Sequence, residues 1–163
     1  MSKYEEGLKL IEERCGNGDK DNVISLATVA MEPNADGKPR PYVRDVDAYY
    51  EDGAFYISTY AKSTKMRQIA RNPEVAFAVC FEWFSGNGIA ENLGWVKDGK
   101  NAEIRAKFKK IFIWFDEVGG EDDENSIVLA IRITRATVIK DHGAVRYNMD
   151  FVNKTETEQG RLI

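Results

Sequence analysis

The sequence predicts a mainly β fold, namely a six-stranded antiparallel β-barrel with flanking helices. Six segments rich in β-branched and aromatic residues recur along the chain and have the lengths of strands. The dipeptide Asp52-Gly53, between two of these segments, is typical of a two-residue hairpin turn. Because an open sheet of such strands would leave unpaired edges, we expect the sheet to close or nearly close on itself.

The first half of the chain is expected to form one helix and three strands. The helix covers residues 3–15, and the strands cover residues 23–31, 39–50 and 54–59. Apolar residues recur at helical spacing from Tyr4 to Cys15, and Gly16 follows as a stop signal. Since turns join the three strands in succession, we expect an antiparallel meander.

The second half is expected to contain three more strands, a short helix and a longer helix. The short helix ends at Asn72-Pro73, the strands cover residues 74–81, 83–93 and 126–139, and the longer helix covers residues 101–117. In the longer helix, apolar residues from Ile104 to Phe115 share one face. An acidic loop follows at residues 119–124, and the polar tail after Lys140 is not assigned to an element.

Length and composition narrow the function classes. The 163 residues fit one domain that covers residues 1–163, and a formal net charge of -4 argues against a nucleic-acid partner. No apolar run approaches the roughly 20 residues of a membrane span, and no secretory cleavage pattern is seen, so we expect a cytoplasmic protein without a membrane partner. Cys15 and Cys80 form no Cys-x-x-Cys motif and His142 is the only histidine, so no metal site is expected.

A local group of cations stands out in this acidic chain. Between Gly53 and Pro73 every charged residue is basic, and these residues are Lys62, Lys65, Arg67 and Arg71. The group lies where a strand passes into the N-terminus of the short helix, a position that favours phosphate binding. A capped surface helix with a solvated basic face would give the same pattern, so spacing alone leaves both explanations open.

The order of motifs from Gly37 to Val79 resembles the flavin-binding half of the pyridoxamine 5'-phosphate oxidase-like family. The strand VISLATVA is followed by an Asp-Gly turn, a strand containing Arg44, a second Asp-Gly turn and the strand FYIST. Ser-Thr-Lys at 63–65 and the run MRQIARNPEVAF follow. The resemblance covers most of residues 20–140. It implies a six-stranded antiparallel split β-barrel and a homodimer with the cofactor at the interface.

The resemblance also implies that the domain binds flavin mononucleotide (FMN) through its phosphate. Arg44 and Lys65 match positions whose cations contact that phosphate, while Ser63 and Thr64 match the loop that hydrogen-bonds it. A phosphate monoester needs such a set of two cations with hydroxyl and backbone donors. The chain departs from the family at Thr64, where many members carry arginine, so one phosphate cation is missing.

Four further residues match positions along the flavin ring. Ser58 and Thr59 match the strand end that lines the cofactor, and the backbone of Asp45 and Val46, next to Arg44, matches the segment beside the isoalloxazine. The carboxylate of Asp45 would stand close to the reduced ring, unless the alternation of side chains along a strand turns it outward.

The function implied by the resemblance is that of an FMN-dependent oxidoreductase. It would transfer two electrons between a nicotinamide donor and an unidentified small acceptor, and no catalytic side chain is named because the flavin carries the reaction. One alternative is a non-catalytic flavin- or haem-binding stress-response protein. Another is an enzyme that uses deazaflavin or reduces nitro compounds, for which Lys62, Arg67 and Arg71 would supply charge.

Two tryptophans and a run near the C-terminus are further candidates for functional residues. Trp83 follows the fourth strand, where family members place residues near the flavin or the dimer interface, and Trp114 lies in the longer helix. Core packing is the favoured explanation for both. The run Gly160-Arg161-Leu162 resembles the family's C-terminal motif, but the pattern that precedes it in the family is absent, so we assign it no role.

Overall fold

Six antiparallel strands close into a barrel in the computed structural model, which describes residues 1–156. The strands are β1 (Asn22–Val29), β2 (Pro41–Glu51), β3 (Ala54–Tyr60), β4 (Glu74–Val79), β5 (Phe84–Trp95) and β6 (Ser126–Lys140). Their order is β3-β2-β1-β4-β5-β6, and β6 pairs back with β3 to close the ring. The predicted fold class and the meander of the first three strands are confirmed. The run Gly160-Arg161-Leu162 lies outside the described residues.

Two helices cover opposite ends of the barrel. Helix α1 (Lys3–Cys15) begins with a capping box at Ser2, and its residues Ile11 and Cys15 are fully buried in the barrel core. Asn22, at the start of β1, donates to the Cys15 carbonyl over 2.9 Å. At the other end of β1, Thr28 contacts helix α2 (Thr64–Arg71). Since one strand reaches both helices, each helix closes one mouth of the barrel.

Strand alternation decides which residues enter the core. In β1 the even-numbered residues from Asn22 to Thr28 are buried, and the odd-numbered ones face outward. The register sets Arg44 opposite Leu26 and Val46 opposite Ile24, so these two residues of β2 share the inner face. Asp45 lies opposite Ser25 and therefore shares the outer face.

Strands β2 and β3 separate soon after their hairpin. They pair only through Tyr49 with Tyr56, Tyr50 with Phe55 and Glu51 with Ala54. Beyond this point β2 continues to pair with β1, and β3 continues to pair with β6. The opening between residues 44–48 of β2 and residues 57–60 of β3 is called the β2–β3 cleft below. Within residues 1–156, the backbone groups that face this cleft have no partner strand.

The segment between β5 and β6 builds a second core outside the barrel. Helices α3 (Ala102–Ile111) and α4 (Phe115–Val118) pack against the outer side of β2 and β6. The buried members of this core are Tyr49, Val96, Phe108, Phe112, Phe115 and Val128. A clamp holds the following acidic loop to α3, because Arg105 donates to Glu121 through both Nε and Nη2, at 2.7 and 2.9 Å.

The predicted single helix over residues 101–117 is wrong. A short 3₁₀ helix, Gly99–Asn101, precedes α3, and α3 ends where Phe112 takes an extended backbone conformation. This break lets the side chains of Phe112 and Phe115 both enter the second core. It also turns Trp114 toward β2, where it is half-buried and stacked on Phe112 with ring centroids 5.2 Å apart.

The turn between β4 and β5 also differs from expectation. The fourth strand ends at Val79 rather than at residue 81, and the fifth starts at Phe84. Phe81 and Trp83 both have positive φ, at 64° and 53°, in a tight turn. Trp83 is 68% exposed, so the expectation that it packs in the core is wrong.

The tail after Lys140 adds two strands to the sheet. Strand β7 (Val145–Asp150) pairs with β6, and β8 (Thr155–Glu156) pairs with β7. Met149 and Tyr147 of β7 are buried in the core beneath α1. No helix within residues 1–156 has the length and apolar character needed to cross a membrane.

Candidate functional site

Arg44 lies on the inner face of β2, where α2 closes the barrel. Its Nη1 donates to the Thr28 hydroxyl over 2.7 Å and to the Leu26 carbonyl over 3.2 Å, and its Nη2 donates to Gln68 Oε1 over 2.8 Å. The Tyr42 ring lies against the guanidinium, and the distance from Arg44 Cζ to the ring centroid is 4.9 Å. All of these partners are uncharged. A guanidinium has five N–H donors, so its Nε–H and one Nη2 hydrogen remain for a ligand.

Lys65 stands close to Arg44 without a counter-ion. It is half-buried in the first turn of α2, and it makes no hydrogen bond or ion pair with any residue in the described part of the chain. Burial lowers the pKa of Lys65, and the nearby charge of Arg44 lowers it further. Burial likewise lowers the pKa of Arg44. Two cations held together without a carboxylate favour an anion at this point.

The start of α2 adds hydrogen-bond donors to these cations. Ser63 is the N-cap, and its hydroxyl accepts from the Met66 amide over 3.4 Å. Thr64 and Lys65 follow as the first two helical residues, whose amides have no intrahelical acceptor. Lys62 and Arg67 are exposed on either side. Of the basic residues predicted from the sequence here, Lys65 is the one whose pKa is lowered by the charge of Arg44.

The two sides of the β2–β3 cleft carry the remaining predicted residues. Arg44, Asp45 and Val46 form the β2 side, and Ser58 and Thr59 form the β3 side. The Asp45 side chain is exposed on the outer face and accepts a hydrogen bond from the Ser25 hydroxyl over 2.7 Å. Its charge therefore points away from Arg44, as strand alternation requires.

A groove opens at the outer side of the cleft. It has a volume of about 240 Å³, and Ser58, Thr59 and Tyr60 of β3 form one wall. Trp114 and the turn at Gly119-Gly120 form the other wall. The indole N–H of Trp114 donates to Asp47 Oδ2 over 2.7 Å, so the ring is fixed between β2 and β3.

Four residues at this site have no binding role in the sequence-based assignment. Thr28 and Gln68 hold Arg44, and Asp47 and Trp114 shape the outer groove. Gln68 belongs to the run that carries the family resemblance, and it is buried beside Met66 and Ile69 on the core-facing side of α2. The signal that could have found it is its place in that run. No such signal exists for Trp114, because its contact with Asp47 depends on the break after α3.

A family model described as pyridoxamine 5'-phosphate oxidase matches residues 17–140. The chain belongs to this family. The match begins just after α1 and ends with β6, so it contains the whole barrel and both sides of the cleft. No curated protein sequence matches the chain.

Solved structures support the fold. A haem-binding protein from Mycobacterium smegmatis has a TM-score of 0.65 at 17% identity, with 94% of this chain and 60% of that chain covered. This chain therefore spans only about three fifths of that protein. The haem storage protein HutZ from Vibrio cholerae has a TM-score of 0.57 at 14% identity, covering 85% of this chain and 95% of that one.

A flavoprotein is also among the similar structures. An FAD-binding protein from Mesorhizobium loti has a TM-score of 0.53 at 19% identity, covering 76% of this chain and 89% of that one. At these identities the likeness establishes the shared barrel alone, while family members and neighbours include both flavin and haem binders. The choice between the two cofactors depends on the residues of this chain.

The residues of the cleft fit a flavin nucleotide. FMN has a dianionic phosphate at one end and a flat, hydrogen-bonding ring system at the other. The half-buried Arg44 and Lys65 provide positive charge at one end of the cleft, and neither has a counter-ion within residues 1–156. Along the cleft, the unpaired strand edges offer backbone donors and acceptors.

Proposed function

We propose that the protein is an FMN-dependent oxidoreductase that transfers two electrons between a nicotinamide donor and a small acceptor. The observation that carries this proposal is the pair of uncompensated cations, Arg44 and Lys65, at the end of the β2–β3 cleft. When bound, FMN would supply hydride and electron transfer, while the protein binds, orients and tunes it.

Each predicted residue has a distinct part in the proposed binding. Arg44 and Lys65 hold the phosphate, and Ser63 and Thr64 present the start of α2 to it. The other predicted residues, namely Asp45, Val46, Ser58 and Thr59, line the ring portion through the strand edges. The hydrogen bond from Ser25 holds the Asp45 carboxylate on the outer face of the sheet, away from Arg44.

We also propose a homodimer with cofactor at the interface. The outer face of β2, β1 and β4 exposes Val43, which is 63% accessible, Val23 and Ala78. Apolar and small side chains on an open sheet face favour association with a second copy. Sedimentation equilibrium should give twice the mass of one chain, and the mass of a single chain would contradict the proposal.

The proposed setting is the cytoplasm. Cys15 and Cys80 are both free thiols, and Cys15 is fully buried. Unpaired cysteines are typical of reducing compartments. Cell fractionation with an antibody against the protein should find it with cytoplasmic markers.

Haem binding is the second candidate, because two of the similar structures are haem-binding or haem-storage proteins. A haem iron needs an axial ligand, and histidine is the commonest choice. The only histidine of the chain, His142, is exposed in a short 3₁₀ segment between β6 and β7. The cleft itself therefore supports a flavin better than a haem.

The test is a comparison of FMN with riboflavin, which lacks the phosphate. We expect wild-type protein to bind FMN at least tenfold more tightly than riboflavin, measured by quenching of flavin fluorescence. Lys65→Ala should weaken FMN binding by about tenfold to a hundredfold, since charged hydrogen bonds contribute about 1.5–3 kcal/mol. Riboflavin binding should not change.

Lys62→Ala is the matched control, because Lys62 is a basic residue of the same loop but is exposed. It should leave FMN affinity within about twofold. Equal affinities of wild-type protein for FMN and riboflavin would contradict the phosphate site. A single intense Soret band after incubation with haem, together with no FMN binding, would favour the second candidate.

A further inference from the structure

The outer groove of the β2–β3 cleft combines a fixed aromatic ring with acidic and neutral polar groups. Trp114 is stacked on Phe112 with an interplanar angle of 10°, and Asp47 holds its indole N–H. One side of the ring is thus packed and its rotation is restricted. Such a ring is a preorganised platform for stacking.

The opposite wall is close to the proposed cofactor position. Ser58 and Thr59 line both the cleft and the groove, so a molecule in the groove would lie beside the ring portion of bound FMN. A volume of about 240 Å³ suits a small molecule of one or two rings. This step depends on the proposed FMN site.

The charges around the groove select the kind of molecule. No basic side chain lines it within the described part of the chain, whereas Asp123 contributes a carboxylate. Asp123 Oδ1 already accepts from the amide and side chain of Asn125, at 2.8 and 3.0 Å, which fixes the carboxylate in place. An anionic substrate would be repelled here, and an uncharged or cationic one would not.

The turn at Gly119-Gly120 requires glycine at both positions. A Cβ on Gly119 would lie 2.4 Å from the Phe115 carbonyl oxygen, and Gly120 has a φ of 59°. The adjacent Glu121 is anchored by Arg105, and its carbonyl accepts from the Trp95 indole over 2.9 Å. The wall opposite β3 is therefore anchored through the contacts of Glu121.

We propose that this groove binds the electron acceptor, and that the acceptor is a small planar aromatic compound without negative charge, stacked on Trp114. Neither the family assignment nor the similar structures assign this site. Trp114 acts here as a binding residue, and Asp123 contributes to specificity against anions.

Two probes with the same ring system test the proposal, namely the uncharged 1,4-naphthoquinone and 1,4-naphthoquinone-2-sulfonate, which carries an added anionic sulfonate group. Binding to the FMN-loaded protein is measured by calorimetry. The uncharged quinone should bind at least tenfold more tightly than the sulfonate. Trp114→Ala should weaken binding of the uncharged quinone by about tenfold, the size expected for a lost aromatic contact. Trp83→Ala, which removes an exposed tryptophan outside the groove, should leave binding within about twofold.

Two further variants distinguish loss of a specific contact from misfolding. Trp114→Phe keeps an aromatic ring and should give an intermediate affinity, and Asp123→Asn should narrow the difference between the two quinones. Equal binding of both quinones, or an unchanged affinity in Trp114→Ala, would overturn the proposal. FMN affinity is measured separately by flavin fluorescence. If FMN itself fails to bind, the same titrations of cofactor-free protein still test the groove.

Discussion

At the residue scale, Arg44 is held by neutral groups and so keeps its charge for a ligand. Thr28 and Gln68 form the inner part of this arrangement, since Thr28 donates to Gln68 Oε1 and accepts from Arg44. Both are almost fully buried. A carboxylate in place of the Gln68 amide would accept the same hydrogen bonds but would neutralise the guanidinium.

Gln68→Glu should therefore weaken FMN binding by about tenfold while leaving the thermal stability close to that of the wild type. The measurement is FMN titration alongside thermal unfolding. Asn72→Asp is the control, because it makes the same change of charge at the C-terminal end of the same helix, away from Arg44. An equal loss of FMN affinity in both variants would indicate a general electrostatic effect rather than local neutralisation of Arg44.

At the element scale, the longest strand contact depends on a glycine. Gly86 of β5 lies opposite Ala136 of β6, and a Cβ there would lie 2.1 Å from the Arg135 carbonyl oxygen. The register shifts nearby, between Asn87 and Gly88. Glycine at 86 thus lets β5 approach β6 more closely than any side chain would allow.

Gly86→Ala should lower the free energy of unfolding by about 3 kcal/mol or more, because the clash is with backbone. Urea unfolding measures the change. Gly99→Ala is the control, since its Cβ would meet nothing within 4 Å, and it should shift stability by no more than about 0.5 kcal/mol. Similar stabilities for the two variants would show that β5 and β6 can move apart at Gly86.

The elements could be predicted from the sequence where one local signal dominates. The first helix was predictable because Tyr4 to Cys15 follow one periodicity and Gly16 ends it. The break after α3 was not, because Phe112 and Phe115 keep helical spacing in the sequence although Phe112 itself takes an extended backbone conformation. Trp114 becomes part of a groove only through that break, so its contacts could not be inferred from spacing.

At the whole-molecule scale, an ion-pair clamp joins the second core to the acidic loop. Hydrogen bonds from Arg105, and then the charge of Lys109, lower the pKa of Glu121 to about 2. A carboxylate whose pKa is lowered by folding stabilises the folded state above its unfolded pKa of about 4. This contribution is lost as the pH falls toward about 2.

Glu121→Gln should lower the free energy of unfolding at pH 7 by about 1 kcal/mol, a modest value because solvent reaches part of the pair. The difference from wild type should shrink as the pH falls from about 4 toward about 2. Chemical denaturation across this range measures it. Glu124→Gln, an exposed carboxylate of the same loop, is the control, and an equal effect there would contradict the clamp.

The sequence predicts the barrel and the cation pair more readily than the shape of the cleft. Lys65 and Arg44 could be identified because charge and motif order are local properties of the chain. The separation of β2 from β3 could not, because it depends on β3 pairing with a strand far along the sequence. The strand in the tail could not be predicted either, since the position of β7 is set by its pairing with β6.

The closing pair β3–β6 has a consequence for biogenesis. Ala54 pairs with Arg132 and Tyr60 with Ser126. One edge of β3 therefore stays unpaired during translation until β6 has been synthesised. One edge of β5 stays unpaired for the same reason, because β5 also pairs with β6. At about 5–20 residues per second, a ribosome leaves both edges open for several seconds. We expect nascent chains that stop before Ser126 to expose two templates for intermolecular pairing, and therefore to depend on chaperones more than the finished barrel does.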